Sequence, residues 1–400
     1  MTQPAPDVLA LLRDLVAIDS TTGSPGEAEV LRRVAAEFDG TRAHAAGPGG
    51  AGPEVVPEAR VEWAHDPDGR ATALLVAPAA LPPGAPLLVF AAHADVVPAT
   101  RASAWSSPPF TLTEVGDRLV GRGSSDMKSG LAAAVVAVRR LLRDGAAVAL
   151  AVTTGEEVGC LGAPALVALL EGRAVGAVVV PESTAGEVVL GHRGALWLTV
   201  STAGVAAHGS TPERGHNAVL DMVAVLGRLD GLPLRDHAEL GRESVNVGVV
   251  SGGSVPNIVP DQCSVRVDHR VVSTDVSAIV AWWRSQPEVT DVTVDLDLGA
   301  VWTRRDHPWL AGLGAPVAER PAAYFTDASV LVRALPSDVP VVVWGPGDPT
   351  AVHSVDESVP TAAVHESVAS FVAAGTAWAR GDAAPGEPSH QADLDPTPTR

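Results

Sequence analysis

Four apolar runs in this 400-residue chain each lead into side chains able to ligate a metal ion. Residues 87–92 run into His93 and Asp95, residues 148–152 into Glu156 and Glu157, and residues 177–180 into Glu182. Residues 339–344 lead through a Gly/Pro turn to His353. Open parallel sheets gather their ligands at the carboxyl ends of the strands, so residues distant in sequence can meet at one sheet edge. Two imidazoles and several carboxylates gathered there suit two zinc-like cations that share one carboxylate bridge and keep open positions for water and substrate.

Each member of the set also has a plainer reading. His93 and Asp95 are two apart, so on an extended segment they point the same way. A carboxylate behind a metal-bound imidazole fixes its tautomer; the alternative is an ordinary turn after a strand. The segment Gly121-Arg122-Gly123-Ser124-Ser125-Asp126-Met127-Lys128-Ser129-Gly130 precedes a helix and lacks the order of a phosphate-binding loop. Its Asp126 can cap that helix or bridge two cations with its two oxygens. Glu156 and Glu157 are neighbours on a turn, where one can bind a metal while the other serves as general base beside it. The alternative is a solvated acidic loop. Taken singly, Glu182 and His353 fit surface or helix-capping positions equally well, and it is their joint occurrence at successive strand ends that favours a site.

The elements needed to position these residues can be read from periodicity. Helical spacing is expected over 8–18, with Leu9, Leu12, Leu15 and Val16 on one face, over 27–38, and over 131–142 after Gly130. Residues 40–59, rich in Gly, Ala and Pro, read as a loop. Short apolar strands alternating with helices indicate a mostly parallel sheet with helices on both faces. The pattern changes near Gly194: strand 196–201, helix 217–229, strands 245–250 and 263–270, helix 276–284 and strand 292–298 follow. This β-α-β-β-α-β order is a split βαβ, ferredoxin-like unit. Val265 and Val267 alternate with Arg266, Asp268 and Arg270, the period of a half-buried strand. The chain therefore reads as a catalytic domain over 1–192 and 303–380, interrupted by a smaller domain over 193–302. Residues 381–400, polar and Pro-rich, read as a disordered tail.

The insert carries signals of its own. His208, in Ala207-His208-Gly209-Ser210, can donate a hydrogen bond to a developing oxyanion. Asn257 ends the turn Ser251-Gly252-Gly253-Ser254-Val255-Pro256-Asn257 and can reach a substrate. Arg270 can grip a substrate carboxylate in bidentate fashion or form a cross-strand ion pair.

Composition removes other classes. A net charge of −19 argues against a nucleic-acid partner, which needs clustered Lys and Arg. Lys128 is the single lysine among 28 basic residues. Cys160 and Cys263 lie far apart and give no disulfide framework. No apolar run reaches the ~18 residues of a membrane span, and no signal-peptide pattern is visible, so no membrane association is expected and the cytoplasm is the expected location.

Together these residues resemble the M20 metallopeptidase family, which includes acetylornithine deacetylase, succinyl-diaminopimelate desuccinylase, aminoacylase-1 and glutamate carboxypeptidase. The likeness spans roughly residues 5–380 and is carried by His93-Ala94-Asp95, by Gly121 to Lys128, by Gly155-Glu156-Glu157 and by Ala207-His208-Gly209-Ser210, with Trp105 and Pro109-Phe110 in support. It implies a zinc-peptidase-like α/β catalytic domain with the insert as lid and dimerisation domain. It also implies that His93, Asp126 and Glu182 hold one divalent ion and that Asp126, Glu157 and His353 hold the other, most often zinc, with cobalt or manganese as alternatives. By the same resemblance Asp95 orients His93, and Glu156 is the general base and later the proton donor to the leaving amine. His208 stabilises the oxyanion, in many members across a dimer interface, while Asn257 and Arg270 match a lid pattern that grips a substrate carboxylate. The family often has Glu-Pro-Thr at the third ligand, where this chain has Glu182-Ser183-Thr184. Glu at that ligand leans towards the deacylase branch. The expected activity is hydrolysis of a small N-acyl amino acid or related carboxylate-bearing amide. The rivals are a dipeptidase or carboxypeptidase of the same family, and a noncatalytic metal-binding protein.

Overall fold

The computed structural model describes residues 8–38 and 59–381. The loop expected before residue 59 and the tail expected beyond residue 381 lie outside the described residues. The chain divides into two compact units. One is formed by the chain up to Gly191 with Trp302–Ala322 and the chain from Thr326 onward; the other is His192–Val301 with Ala323–Phe325.

The larger unit is organised by a six-stranded sheet in the order Ala59–His65, Ala71–Pro78, Val148–Thr153, Leu87–His93, Val175–Val180, Val341–Val343. The last four strands are parallel to one another; the second pairs antiparallel with the first of these four, and the edge strand Ala59–His65 pairs antiparallel with the second. The sheet is thus mostly parallel, as the apolar runs imply. Every residue of Leu87–His93, Val148–Thr153 and Val175–Val180 is buried, which is why these strands are continuously apolar instead of alternating. Helix Lys128–Arg143 packs against Val8–Ala17 and Thr361–Arg380, while Ala163–Leu170 packs against Ala328–Ala334 and the strand Ala71–Pro78. Phe371 of the last long helix lies 5.2 Å, centroid to centroid, from both Phe90 and Trp344 and so ties two strands of the sheet together. The register sets His93 opposite Thr153, so the carboxyl ends of the central strands are level.

The helix expected to start after Gly130 begins at Lys128. Gly130 is no helix breaker; a Cβ there would overlap the Pro181 carbonyl oxygen. Its missing side chain allows the first helical turn to lie directly on the strand end that leads to Glu182. The residue at the N-cap position is Met127, without a side-chain cap bond, so Asp126 does not cap the helix.

The smaller unit is a four-stranded antiparallel sheet in the order Ser244–Gly252, Gln262–Val271, Gly194–Ala203, Val289–Leu298, with helices Ala218–Leu226 and Ser277–Arg284 packed on it. Chain order and sheet order together are those of the split βαβ arrangement. In Gln262–Val271 burial alternates as read from the sequence, with Cys263, Val265, Val267, His269 and Val271 inward. An additional short pair, Asp236–His237 with Gly241–Arg242, was not signalled by the sequence pattern. No helix among the described residues is long and apolar enough to cross a membrane.

Candidate metal centre

His93 is the last residue of its strand, and Glu182 follows Val175–Val180 by two residues. Glu157 lies in a short 3-10 turn, Glu156–Val158, after Val148–Thr153. His353 sits on the connection between Val341–Val343 and Ser358–Pro360 with φ of 59°, and Asp126 on the loop before Lys128–Arg143. These five side chains converge. His93 Nε2 lies 3.3 Å from Asp126 Oδ1 and 3.2 Å from Glu182 Oε1. His353 Nε2 lies 3.2 Å from Asp126 Oδ2 and 3.0 Å from Glu157 Oε2. The ligand atoms of each triad, His93–Asp126–Glu182 and Asp126–Glu157–His353, fall within 4.8 Å of one another. Asp126 belongs to both and turns a different oxygen to each.

The surrounding bonds fix the donor atoms. His93 Nδ1 is 3.0 Å from the Asp95 carbonyl oxygen. A carbonyl only accepts, so Nδ1 carries the proton and Nε2 keeps its lone pair for the site. The Asp95 carboxylate is more distant from that ring, at 3.5 Å. It is occupied elsewhere: Oδ1 accepts from the Glu156 N–H at 3.1 Å, and Oδ2 from the Glu157 N–H at 3.2 Å and Thr22 Oγ1 at 2.9 Å. Asp95 therefore orients His93 chiefly through its main chain and shapes the Glu156-Glu157 turn through its carboxylate. Gly155, at φ 68°, opens that turn and donates its N–H to Glu27 Oε1 at 2.9 Å. On the far side Ser183 donates its hydroxyl to the Ser125 carbonyl at 2.9 Å and so holds the Glu182 turn to the residue beside Asp126.

Negative charge is crowded into a largely buried site that is open at His353. Burial is the largest influence on Glu156, and the carboxylates of Glu182, Asp327 and Glu157 add to it; against the charge of His93 they raise its carboxyl well above the ordinary range. Glu182 is pushed up to about 8 by burial and by the charge of Asp126. Burial works the same way on Asp126, but hydrogen bonds from His353 and His93 outweigh it and hold its carboxyl far below the usual range. Hydrogen bonds to Asp126 and Glu157 raise His353 to about 10. The buried Cys160 thiol is pushed up by desolvation, the opposite of what a nucleophilic cysteine needs.

The three residues expected from the insert lie in the smaller unit. His208 Nδ1 accepts from the Ser210 N–H at 3.1 Å and lies 2.7 Å from Ser210 Oγ. In the neutral ring this leaves the proton on Nε2, a free donor. The Gly209 N–H donates to the Asn257 carbonyl at 2.7 Å, so the loops bearing His208 and Asn257 are paired through their main chains. Arg270 is bonded within its own strand to Asp268, Nε and Nη2 lying 3.2 and 3.1 Å from Oδ2. It is an ion pair on the polar face, formed along the strand and not across it.

Nothing in the sequence marks Thr22, Glu27 or Asp327 as members of the site. Asp327 is buried and its Oδ2 accepts from Thr153 Oγ1, one strand end from the ligands. Each of these residues is polar, lies in a loop or at a helix start, and meets its partner only through the fold.

The fold thus brings together two triads of a kind that could each hold a metal ion, joined through one carboxylate. A family model described as Peptidase family M20/M25/M40 matches residues 89–376. The chain belongs to that family. It is 30% identical over 321 residues to a probable succinyl-diaminopimelate desuccinylase of Staphylococcus epidermidis, covering 69% of this chain and 79% of that protein. Among solved structures it is similar to aminopeptidase PepT from Bacillus cereus, with a TM-score of 0.71 at 19% identity over 94% of this chain and 99% of the other. It is also similar to YXEP of Bacillus subtilis, described as a dinuclear metal-binding peptidase of the M20 family, with a TM-score of 0.64 at 12% identity over 93% of this chain and 98% of the other.

The shared carboxylate gives the ligand set an asymmetric response to mutation. Asp126→Ala removes a donor from both triads, whereas Glu182→Gln and His353→Ala each remove one from a single triad. Titration of chelator-treated protein with zinc, read as equivalents bound per chain, is expected to show both sites weakened in the first variant and only one in each of the others. Selective loss of a single site in Asp126→Ala would show that the carboxylate is not shared.

Proposed function

We propose that this protein is a two-cation amide hydrolase that deacylates a small N-acyl amino acid or a related carboxylate-bearing amide. The observation that carries the reading is the division of Asp126, one oxygen to each of two His-containing triads, with Glu156 buried beside them but in neither triad. Imidazole nitrogens with carboxylate oxygens suit zinc, with cobalt or manganese as alternatives. When bound, such cations supply Lewis acidity and lower the pKa of water. The desuccinylase name of the Staphylococcus epidermidis relative and the dinuclear description of the Bacillus subtilis structure support the same reading.

The chain's own groups do the proton work. Glu156 has no place in the ligand triads, and its main-chain N–H is tied to Asp95, so its side chain is held beside the site without being consumed by it. It accepts a proton from the attacking water and returns one to the departing amine nitrogen. His208, with Nδ1 engaged by Ser210, offers Nε2–H to the oxyanion. Asn257 offers its amide to the substrate. Arg270 grips the substrate carboxylate by leaving or sharing Asp268, an exchange its half-exposed position permits.

The insert is also the proposed dimerisation surface. Its edge strand Ser244–Gly252 exposes Val249 and Val250, and helix Ala218–Leu226 exposes Leu220 and Val223. An unpaired strand edge beside bare apolar side chains favours a second copy of the chain.

Three measurements follow. Glu156→Gln is expected to retain both metal equivalents while kcat falls by at least about 100-fold, the scale of general acid–base catalysis. Near wild-type turnover would remove Glu156 from its role. The substrate class is read from a panel of N-acetyl amino acids, N-succinyl diamino acids and dipeptides with the zinc- and cobalt-loaded enzyme. Preference for dipeptides would move the chain to the peptidase reading, and bound metal with no amide hydrolysed would make it a noncatalytic binder. For the dimer, sedimentation of wild type and of Leu220→Glu/Val250→Lys is expected to show a dimer and a monomer respectively; a monomeric wild type at micromolar concentration would end that proposal.

A further inference from the structure

Glu357 lies four residues beyond His353 and has no place in either ligand triad. It is fully buried, and no periodic pattern in the sequence distinguishes it from the acidic residues around it. Yet its carboxylate collects the donors of the loop that carries Asp126. Oε2 accepts from Arg122 Nη1 at 2.6 Å and from the Gly123 N–H at 3.0 Å. Oε1 accepts from the Ser125 N–H at 2.9 Å and from the N–H of Asp126 itself at 2.8 Å. The main-chain oxygen of Glu357 accepts twice more, from the Gly121 N–H at 2.9 Å and Ser124 Oγ at 3.1 Å. A single residue thus takes six donors from six consecutive residues, Gly121 to Asp126.

We propose that Glu357 is the positioning residue of the bridging carboxylate, fixing Asp126 so that its two oxygens face two separate cations. This assignment rests on the two-cation reading of the site. A side chain that bridges two ions must be held in one orientation, because a small rotation satisfies one ion at the expense of the other. Asp126 receives no such restraint from helix capping, and its own carboxylate is committed to His93 and His353. The restraint therefore comes from its main chain, and the group that supplies it is Glu357. The same short segment, residues 353–357, delivers a ligand for one cation and the anchor of the carboxylate shared by both. Glu357 acts on both sites, whereas His353 acts on one.

Arg122 completes the arrangement. It is buried, pairs with Glu357, and lies over the Trp105 ring at 5.1 Å. It neutralises the anchor without touching Asp126.

The test compares wild type with Glu357→Gln, an isosteric change that turns one oxygen into a donor facing two donors. Chelator-treated proteins are titrated with cobalt(II), followed by visible absorption and calorimetry, and amide exchange is measured on the metal-free forms. Affinity at both sites is expected to fall at least tenfold in Glu357→Gln, and the Ser125 and Asp126 amides, protected in wild type, are expected to exchange at least tenfold faster. Because Glu357→Gln leaves Arg122 as a buried unpaired charge, the double variant Arg122→Met/Glu357→Gln is measured alongside it and is expected to show the same losses. Wild-type cobalt affinity in whichever variant folds, or unprotected Ser125 and Asp126 amides in metal-free wild type, would overturn the assignment. If wild type bound no cobalt, the two-cation reading would fail, while the exchange comparison would still decide whether Glu357 holds the loop.

Discussion

The structure depends on one electrostatic constraint: a set of carboxylates crowded at the ends of buried parallel strands, with two imidazoles among them. Asp95, Glu156 and Glu182 are almost wholly removed from water, and Asp126 and Glu157 lie beside them. Left to themselves such groups neutralise by taking up protons, and the carboxyls of Glu156 and Glu182, both held above the ordinary range, show that pressure. Divalent cations relieve the same pressure without protons. The geometry favours them because the imidazole Nε2 atoms of His93 and His353 point at opposite oxygens of one carboxylate. The rest of the larger unit holds these charges together against their repulsion.

The fold does so by buried hydrogen bonds that are far apart in sequence. Asp95 ties the strand end of His93 to the turn of Glu156 and Glu157. Glu27 reaches from the second helix to Gly155. Ser183 reaches from the Glu182 turn to Ser125, and Gly130 lets the helix behind Asp126 lie on Pro181. Each bond fixes a loop main chain and leaves the functional side chain free to face the site. An exposed loop of the same sequence would keep the ligand types and lose their convergence.

What the sequence makes legible follows from the same physics. A strand buried on both faces must be apolar throughout, so Leu87–His93, Val148–Thr153 and Val175–Val180 stand out, and so do the polar residues at their ends. The alternation in Gln262–Val271 is legible for the complementary reason, since one face is inward and the other is not. Asp126 was ambiguous because a residue just before a helix can always be a cap; only the structure shows Met127 in that position. Arg270 was ambiguous too, and its bond to Asp268 lies along the strand, a pairing that a cross-strand argument does not anticipate. Thr22, Glu27 and Asp327 carry no periodic signal, because their partners are brought to them by chain topology. Substrate choice is written least clearly, because no motif in the sequence names the acyl group or the amine.

The sharing of Asp126 is tested most directly by anomalous scattering from crystals of the zinc-loaded protein. Two peaks are expected, roughly 3.5–4 Å apart as in two-metal sites, one bonded to His93 and Glu182, the other to Glu157 and His353, and both to Asp126. A single peak, or two peaks of which one does not touch Asp126, would contradict the shared carboxylate on which the proposed chemistry depends.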